Sequence, residues 1–332
     1  MTDRREVEKA LVVGPGWLGG AVAHELAASG MLVWTVQRSA PEATPGAHSR
    51  FADGRIAALQ GDIRLDGPDT QHDAWQHAWR EALPASFDHL VVCVAPSRVA
   101  GDDHTSTYPA ALRGALALAD ERDCRNIVYT SSTGVYGRSD GAVSRETDEI
   151  QRRDARQGAL LDAENVLADQ SIARGTGRTI LRVAGLYGPG RDPAVRFRTT
   201  IPTGDQDVWC NFSWRDDVVS AIGHVLAHPA AAGTLRVFNC ADGTPIRASV
   251  VARALGAPAS ASASASASAS ASASASTTMT PSTGGRTSRS NQRIPIDALR
   301  ATGWAPSKPT VLDGLAALGH NVDRTVLTDA AL

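Results

Sequence analysis

The sequence is poor in lysine and in cysteine. Two of its 33 basic residues are lysines, Lys9 and Lys308, so few positions could supply a lysine amine to a reaction. The cysteines are widely spaced, without a CxxC pair or a histidine-rich neighbourhood: they are Cys93, Cys124, Cys210 and Cys240. This spacing argues against a metal centre and a disulfide framework, and it fits the reducing cytoplasm.

Strong net charge and long apolar runs are also missing. The formal charge of the 332 residues is −2, which argues against a nucleic-acid partner. No run of about 18 apolar residues occurs, so we expect no membrane-spanning helix. Residues 1–6 are polar and lead directly into a short apolar run, so we expect no signal peptide. A hydrophobic fraction of 42% is enough for a sizeable core.

Short apolar segments alternate with helical patterns through the first 240 residues. The apolar segments predict strands over residues 10–13, 32–36, 56–59, 90–95, 127–131, 179–183 and 235–240. Helices are predicted over residues 20–29, 73–82, 109–121, 155–173 and 216–227. Continuous apolar strands are typical of a parallel sheet buried on both faces, and parallel neighbours need crossover connections. This order therefore predicts a doubly wound α/β sheet.

Alanine and serine alternate without a break over residues 259–276. This segment has no large apolar groups to offset the entropy cost of ordering, so we expect residues 258–290 to form a flexible surface loop. An alanine-rich helix is the alternative, which serine at every second position disfavours. The sequence thus predicts an α/β domain over residues 8–257, this insertion, and a C-terminal part over residues 291–325.

A glycine-rich loop, GPGWLG, follows the first predicted strand and precedes the first helix. A GxGxxG spacing in this context is typical of a Rossmann-type dinucleotide site. The first glycine permits the tight turn, the second lets the pyrophosphate approach the backbone, and the third lets helix and strand pack closely. The helix N-terminus then attracts the phosphates. The expected cofactor contacts in this loop are Gly14, Gly16, Trp17, Leu18 and Gly19; a glycine-rich turn without a ligand is the alternative.

The end of the second strand bears on the choice of cofactor. An NAD site usually has Asp or Glu there for the ribose 2′-hydroxyl, whereas this chain has Gln37, Arg38 and Ser39. Arg38 could pair with a 2′-phosphate and Ser39 could donate to it, which favours NADP(H) over NAD. The alternative for Arg38 is a solvated loop position. Asp62, after the third strand, either contacts the adenine or is an ordinary turn residue.

Two further motifs resemble a known family. They are TSSTGVYG over residues 130–137 and LRVAGLYGPGR over residues 181–191. With the glycine loop and the Gly-Asp pair at residues 61–62, they resemble the extended short-chain dehydrogenase/reductases, the NAD-dependent epimerase/dehydratase superfamily. The GWLG run most resembles an atypical bacterial branch, the YeeZ type. The resemblance covers about residues 10–245 and the tail from residue 292. It implies a Rossmann α/β fold with a small C-terminal substrate-capping lobe.

In that family, catalysis uses a Ser or Thr on the fifth strand and a YxxxK pair on the next helix. Ser132 matches the first position. Counted back from Glu164, the Tyr and Lys positions hold Arg156 and Leu160, and no tyrosine of this chain has a lysine four residues later. The lysine normally favours the phenolate of a tyrosine whose ordinary pKa is about 10. The resemblance thus implies that the usual acid/base pair is absent.

Other positions keep two interpretations each. Tyr136 is a candidate substitute acid/base, although its family counterpart mostly shapes the site, and Ser132 either bonds the substrate or satisfies a strand end. Arg156 either binds a carboxylate or phosphate or faces solvent. Asp216 is expected to cap a helix. The positions expected beside the nicotinamide ribose are Val94, Ala95 and Pro96. The expected substrate contacts are Arg156, Tyr187, Arg191 and Trp214.

These residues predict an NADP(H)-dependent oxidoreductase or epimerase-like enzyme with a non-standard acid/base, acting on a small polar substrate. NAD is the second choice of cofactor. A redox-sensing protein that binds NADP(H) without turnover is the alternative, because both catalytic positions are changed. A hydroxyacid-dehydrogenase-like protein is a third, which the TSSTGVYG segment disfavours. We expect a cytoplasmic protein without a metal ion, a nucleic-acid partner or a membrane anchor, and a homodimer stays open.

Overall fold

A seven-stranded parallel sheet forms the centre of the molecule. A computed structural model of the chain describes residues 7–38, 54–64, 79–95, 104–169, 175–259 and 290–327. The strands of this sheet are β1 (Lys9–Val13), β2 (Leu32–Gln37), β3 (Ile56–Gln60), β4 (His89–Val92), β5 (Asn126–Ser132), β6 (Gly177–Val183) and β10 (Leu235–Cys240). All seven predicted strands are confirmed. Their order across the sheet is β10-β6-β5-β4-β1-β2-β3, which is the Rossmann order with one further strand at the β6 edge.

Helices cover both faces of the sheet. They are α1 (Gly19–Ala28), α2 (His104–Glu121), α3 (Ala155–Ala168) and α4 (Arg215–Ala227). Val22 of α1 and Ile222 of α4 belong to one apolar core, whereas Leu112 of α2 and Leu167 of α3 belong to a second. Both cores contain strand residues, because consecutive side chains of a strand point to opposite faces. The predicted doubly wound α/β sheet is therefore confirmed.

The start of one helix differs from the predicted one. Helix α2 begins at His104, five residues before Pro109, and keeps the proline inside its second turn. Most of the helix predicted over residues 73–82 lies outside the described residues, as do Ser39, Pro96 and the alanine/serine segment.

A smaller unit with its own core lies beside the sheet. It contains the strand pairs β7 (Gly185–Tyr187) with β9 (Phe212–Trp214) and β8 (Trp209–Cys210) with β11 (Ile246–Arg247). Helices α5 (Ala248–Ala254) and α7 (Val311–Ala317) complete it, and α6 (Asp297–Arg300) packs near β10. The buried side chains of β7, β9, α5 and α7 form a third apolar core, separate from those of the sheet. This is the C-terminal lobe that the sequence predicts.

The topology defines where a ligand can bind. From β1 the chain proceeds to β2 and β3 on one side, and β4 then returns to the other side of β1. Ligands of open α/β sheets bind outside the carboxyl ends of the strands at such a switch point. The loops after β1 and β4 meet there. Among the described residues, no helix is long and apolar enough to cross a bilayer.

Candidate cofactor site and active site

The loop after β1 depends on two glycines for its shape. Gly14 has φ +80° and donates its N–H to the Val36 carbonyl of β2 at 3.0 Å. A Cβ on Gly14 would lie 2.8 Å from the carbonyl oxygen of Cys93, directly after β4. A Cβ on Gly19 would overlap the Gly14 carbonyl. Both glycines are therefore required for the close approach of β1, β4 and α1.

Gly16 differs from Gly14 and Gly19 because the space beside its Cα, where a side chain would begin, is open. A Cβ there would have no protein atom within 4 Å, and its backbone does not need a positive φ. The fold itself thus tolerates a side chain at this position. A phosphate that approaches the backbone would occupy the same space, so the bare backbone at Gly16 suits a pyrophosphate.

The N-terminus of α1 has the charge that such a ligand needs. Leu18 is its N-cap residue and offers no side-chain hydrogen bond, and the first turn holds no acidic side chain. Gly20 in the first turn already donates its N–H to the Gly16 carbonyl at 2.8 Å, and the helix dipole makes this end positive. The loop and the helix end therefore fit the pyrophosphate of a dinucleotide.

Trp17 joins this loop to the lobe. Its indole Nε1 donates to the Pro189 carbonyl at 3.1 Å, in the loop that follows β7. The guanidinium carbons of Arg191 and Arg215 lie 4.5 Å and 5.2 Å from the centre of the Trp17 ring system, within cation–π range. Two arginines are thereby held beside the cofactor loop, and Arg215 is also paired with Asp216 at 2.8 Å.

The residues expected at the adenosine end have different surroundings. Arg38 is exposed at the end of β2, and Gln60 donates to its carbonyl at 3.1 Å. The carboxylate of Asp62 accepts two hydrogen bonds from Arg64 Nε, at 3.0 and 2.9 Å, and one from Arg64 Nη2. Asp62 also accepts the backbone N–H of Arg64 at 3.0 Å, so the geometry favours the turn role that the sequence left open.

Ser132 ends β5 at the carboxyl edge of the sheet. Its Oγ accepts the backbone N–H of Gly134 at 3.1 Å and so caps the 3-10 turn Thr133–Tyr136. The residue is half-buried, and its O–H proton is directed to no acceptor in the described hydrogen bonds. The hydroxyl can therefore cap the turn and still donate to a substrate oxygen.

Tyr136 lies in a buried polar network and not in an open site. Its hydroxyl donates to Asn239 Oδ1 at 2.8 Å and accepts from Arg182 Nη1 at 3.0 Å, with 4% of the residue exposed. Arg182 also donates to both carboxylate oxygens of Glu164, which accepts a further bond from Ser131 at 2.6 Å. Burial raises the pKa of Tyr136 to about 12. These contacts favour a structural role over the acid/base role considered from the sequence.

The sequence interpretation missed the network that joins Arg182, Glu164 and Asn239, and used Glu164 only to locate positions 156 and 160. Each is at most 5% exposed. A signal was present for Arg182, because a charged residue inside a fully buried strand requires a partner. Nothing in the sequence indicated that Asn239, from β10, would complete the network with Tyr136.

The comparisons with known proteins agree with this geometry. The model of the NAD dependent epimerase/dehydratase family matches residues 10–241. This chain belongs to that family. Protein YeeZ of Escherichia coli (strain K12) is 30% identical over 243 residues, which are 73% of this chain and 80% of YeeZ. The resemblance inferred from the motifs is thus confirmed.

Two solved structures of epimerases share the fold. UDP-N-acetylglucosamine 4-epimerase from Bacillus cereus has a TM-score of 0.61 and 16% identity, over 94% of this chain and 99% of that one. UDP-glucose 4-epimerase from Thermus thermophilus, in complex with NAD, has a TM-score of 0.61 and 19% identity, over 90% of this chain and 94% of that one. At these identities the likeness shows the fold alone.

Within the epimerase/dehydratase family, this chain is unusual at the two positions that the motifs assign to the catalytic tyrosine and lysine. Arg156 is exposed in the first turn of α3, one residue after its start. Leu160 is 4% exposed and belongs to an apolar core. An added Cβ on Gly134 would lie 3.3 Å from Ser132 Oγ and 3.5 Å from Leu160 Cδ1. Leu160 therefore places an apolar group close to Ser132 where the family has an ammonium.

Two expected substrate contacts lie inside the lobe instead. Tyr187 is 2% and Trp214 7% exposed, and their rings pack edge to face at 5.3 Å. Because both aromatic side chains fill the third core, neither is available to a ligand in this structure. Asp216 is not the N-cap of α4: the helix begins one residue earlier, at Arg215, and its N-cap is Trp214. Arg191, by contrast, is exposed and stacks on Trp17, and Val94 and Ala95 follow β4 at the switch point.

Proposed function

We propose that this chain is a nicotinamide-dinucleotide-dependent enzyme of the oxidoreductase or epimerase type, which acts on a small polar substrate. The glycine loop is the observation that carries the proposal. It combines the open backbone at Gly16, the uncapped and uncharged start of α1, and a position at the switch point of the sheet. Membership of the epimerase/dehydratase family supports the reaction class. When bound, the cofactor would supply or accept a hydride.

We further propose that NADP(H) is the preferred cofactor. Arg38 is exposed at the end of β2, where a carboxylate would repel a 2′-phosphate and a guanidinium would attract it. The four cysteines are free thiols, which fits a reducing compartment such as the cytoplasm.

Titration calorimetry with NADPH, NADP⁺, NADH and NAD⁺ tests both proposals. We expect NADP(H) to bind more tightly than NAD(H), and Arg38→Ala to remove the difference while the affinity for NAD(H) stays within about twofold. Arg253→Ala is the matched control, because Arg253 is exposed on α5 in the lobe. A protein that binds none of the four dinucleotides would overturn the proposed function. Equal losses with both cofactors in Arg38→Ala would contradict only the NADP preference.

On the substrate side, Ser132 is the residue that we propose to contact a carbonyl or hydroxyl oxygen. It lies at the carboxyl end of β5, and its O–H remains available while Gly134 uses one lone pair of Oγ. Arg191 offers a cation on the lobe side of the cleft. Ser132→Ala removes the hydroxyl that we propose to contact the substrate oxygen, so kcat is expected to fall. Cofactor affinity should change little, because Ser132 ends β5 whereas the glycine loop follows β1.

Binding without turnover is the second candidate function. It is favoured by the pair of changes on α3, an exposed arginine at position 156 and a buried leucine at position 160. Oxidation of NADPH in the presence of a panel of small carbonyl compounds distinguishes the two. Turnover that Ser132→Ala abolishes excludes the binding-only function. Tight NADP(H) binding with no oxidation across the panel would support it.

A further inference from the structure

One tyrosine of this chain is positioned differently from the other three. Tyr129, Tyr136 and Tyr187 are each at most 4% exposed. Tyr108, in the second turn of α2, is half-buried. A phenol that exchanges a proton with a substrate must reach a site that opens to the ligand, and Tyr108 alone combines partial exposure with a packed ring.

The topology places Tyr108 at the carboxyl edge of the sheet. Helix α2 precedes β5 and helix α3 precedes β6, and both pack on the same face, so their N-terminal turns lie side by side at that edge. The ring of Tyr108 packs against members of both sheet cores. Because α2 follows β4 and runs back toward β5, its second turn, which holds Tyr108, lies near the carboxyl ends of these strands.

The neighbouring helix α3 has a cationic side chain in its N-terminal turn, at the same edge of the sheet. Arg156 is in the first turn of α3, at the position where the family motif has its tyrosine. Burial raises the pKa of Tyr108, and the charge of Arg156 opposes that rise. The phenol of Tyr129, from β5, also interacts electrostatically with Tyr108. The phenol and the cation are thus both present at this edge. They differ from the family pair, because the phenol is on α2 and the cation occupies the position of the family's tyrosine.

We propose that Tyr108 is the proton donor of this enzyme and that Arg156 stabilises the phenolate it leaves. The inference rests on the proposed function. Tyr108 gives its O–H proton to the oxygen of a substrate carbonyl, whose carbon would accept the hydride, with its two electrons, that bound NADPH would supply. The C=O double bond becomes a C–O single bond of an alcohol. The phenolate then recovers a proton from water, and Ser132 donates a hydrogen bond to the same oxygen.

Nuclear magnetic resonance of protein with ¹³Cζ-labelled tyrosine tests this without a substrate. Four Cζ signals are expected, and Tyr108→Phe identifies one of them. We expect that signal to titrate at the lowest pH of the four, since the other three phenols are more deeply buried. Its midpoint should be lower with NADP⁺ than with NADPH by at least about half a pH unit, because only the oxidised ring is positively charged. Arg156→Gln should raise the midpoint, and Arg156→Lys should restore it.

The controls separate this inference from the proposed function. Arg253→Gln removes an arginine charge in the lobe and should leave the midpoint unchanged. If calorimetry shows that both cofactors bind but the midpoint is the same with each, or does not respond to Arg156→Gln, the assignment of Tyr108 is overturned. If no dinucleotide binds, the proposed function fails first. In any carbonyl reduction detected, Tyr108→Phe should lower kcat at least about a hundredfold with an unchanged Kd for NADPH; full kcat would overturn the proposal.

Discussion

Gly16→Ala separates the cofactor site from the stability of the fold. The added Cβ would meet no protein atom within 4 Å, and the residue does not require a positive φ. The folded protein should therefore accept the substitution. Replacing glycine at an unstrained position usually stabilises a protein by about 0.4–1 kcal/mol, because the unfolded chain loses freedom. We expect the free energy of unfolding of Gly16→Ala to be equal to or slightly above that of the wild type.

The same methyl group would lie where we propose that the pyrophosphate approaches the backbone. A hydrogen bond to a charged group contributes about 1.5–3 kcal/mol. Loss of one such bond weakens binding about ten- to hundredfold, since about 1.4 kcal/mol corresponds to a factor of ten. Titration calorimetry with NADPH measures the change in Kd, and urea unfolding measures stability on the same samples.

Two glycine variants serve as comparisons. Gly223, on α4, also has open space at its Cβ, and Gly223→Ala should change neither NADPH affinity nor the fold. Gly14→Ala should be destabilised, because φ +80° costs about 1–2 kcal/mol for alanine and its Cβ would lie 2.8 Å from the Cys93 carbonyl oxygen. The overlap adds about 1–3 kcal/mol. If Gly16→Ala binds NADPH as tightly as the wild type, the phosphates do not lie on this loop.

Three further predictions concern the buried polar groups. Tyr136→Phe should lower the free energy of unfolding by about 1–3 kcal/mol in urea titrations, because Asn239 Oδ1 and an Arg182 N–H lose a partner; an unchanged midpoint would contradict the network. Glu164→Gln should cost about 3–5 kcal/mol by the same measurement, since it leaves the Arg182 charge buried without its carboxylate. A smaller loss than in Tyr136→Phe would show that the ion pair is unimportant. Burial raises the pKa of Asp242 well above its usual range, so the folded state keeps a proton that the unfolded chain releases above about pH 4. Wild-type stability should fall as the pH rises from about 4 toward neutrality, whereas Asp242→Asn should flatten this dependence; parallel curves for the two proteins would refute the assignment.

The secondary structure was predictable where one local rule acted alone. The seven strands of the sheet are short apolar runs. A strand that is buried on both faces has apolar side chains at consecutive positions, which the sequence shows directly. The glycine loop was equally clear, because two of its constraints are local: Gly14 has φ +80°, and a Cβ on Gly19 would overlap the Gly14 carbonyl. Boundaries were less predictable: the predicted start of α2 at residue 109 lies five residues too late.

The chemical role of polar and aromatic residues was not predictable from motif position. Tyr187 and Trp214 belong to motifs that resemble a substrate site, yet they fill the core of the lobe. Tyr136 follows Ser132 closely in sequence, yet its hydroxyl bonds to Asn239, 103 residues away. The sequence gives spacing along the chain, whereas the surroundings of a side chain depend on which distant elements pack against it.

Three facts about this protein follow from the sequence by itself. They are the parallel α/β order, the strand-loop-helix at Gly14–Gly19, and the absence of a tyrosine–lysine pair with the family spacing. Each depends on neighbouring residues and on hydrophobic periodicity. Tertiary structure alone decided that the Tyr136 hydroxyl is enclosed, that Trp17 holds Arg191 and Arg215, and that α2 and α3 pack on the same face of the sheet. These contacts join residues separated by tens to hundreds of positions, and only the packing of helices on a common sheet determines which of them meet.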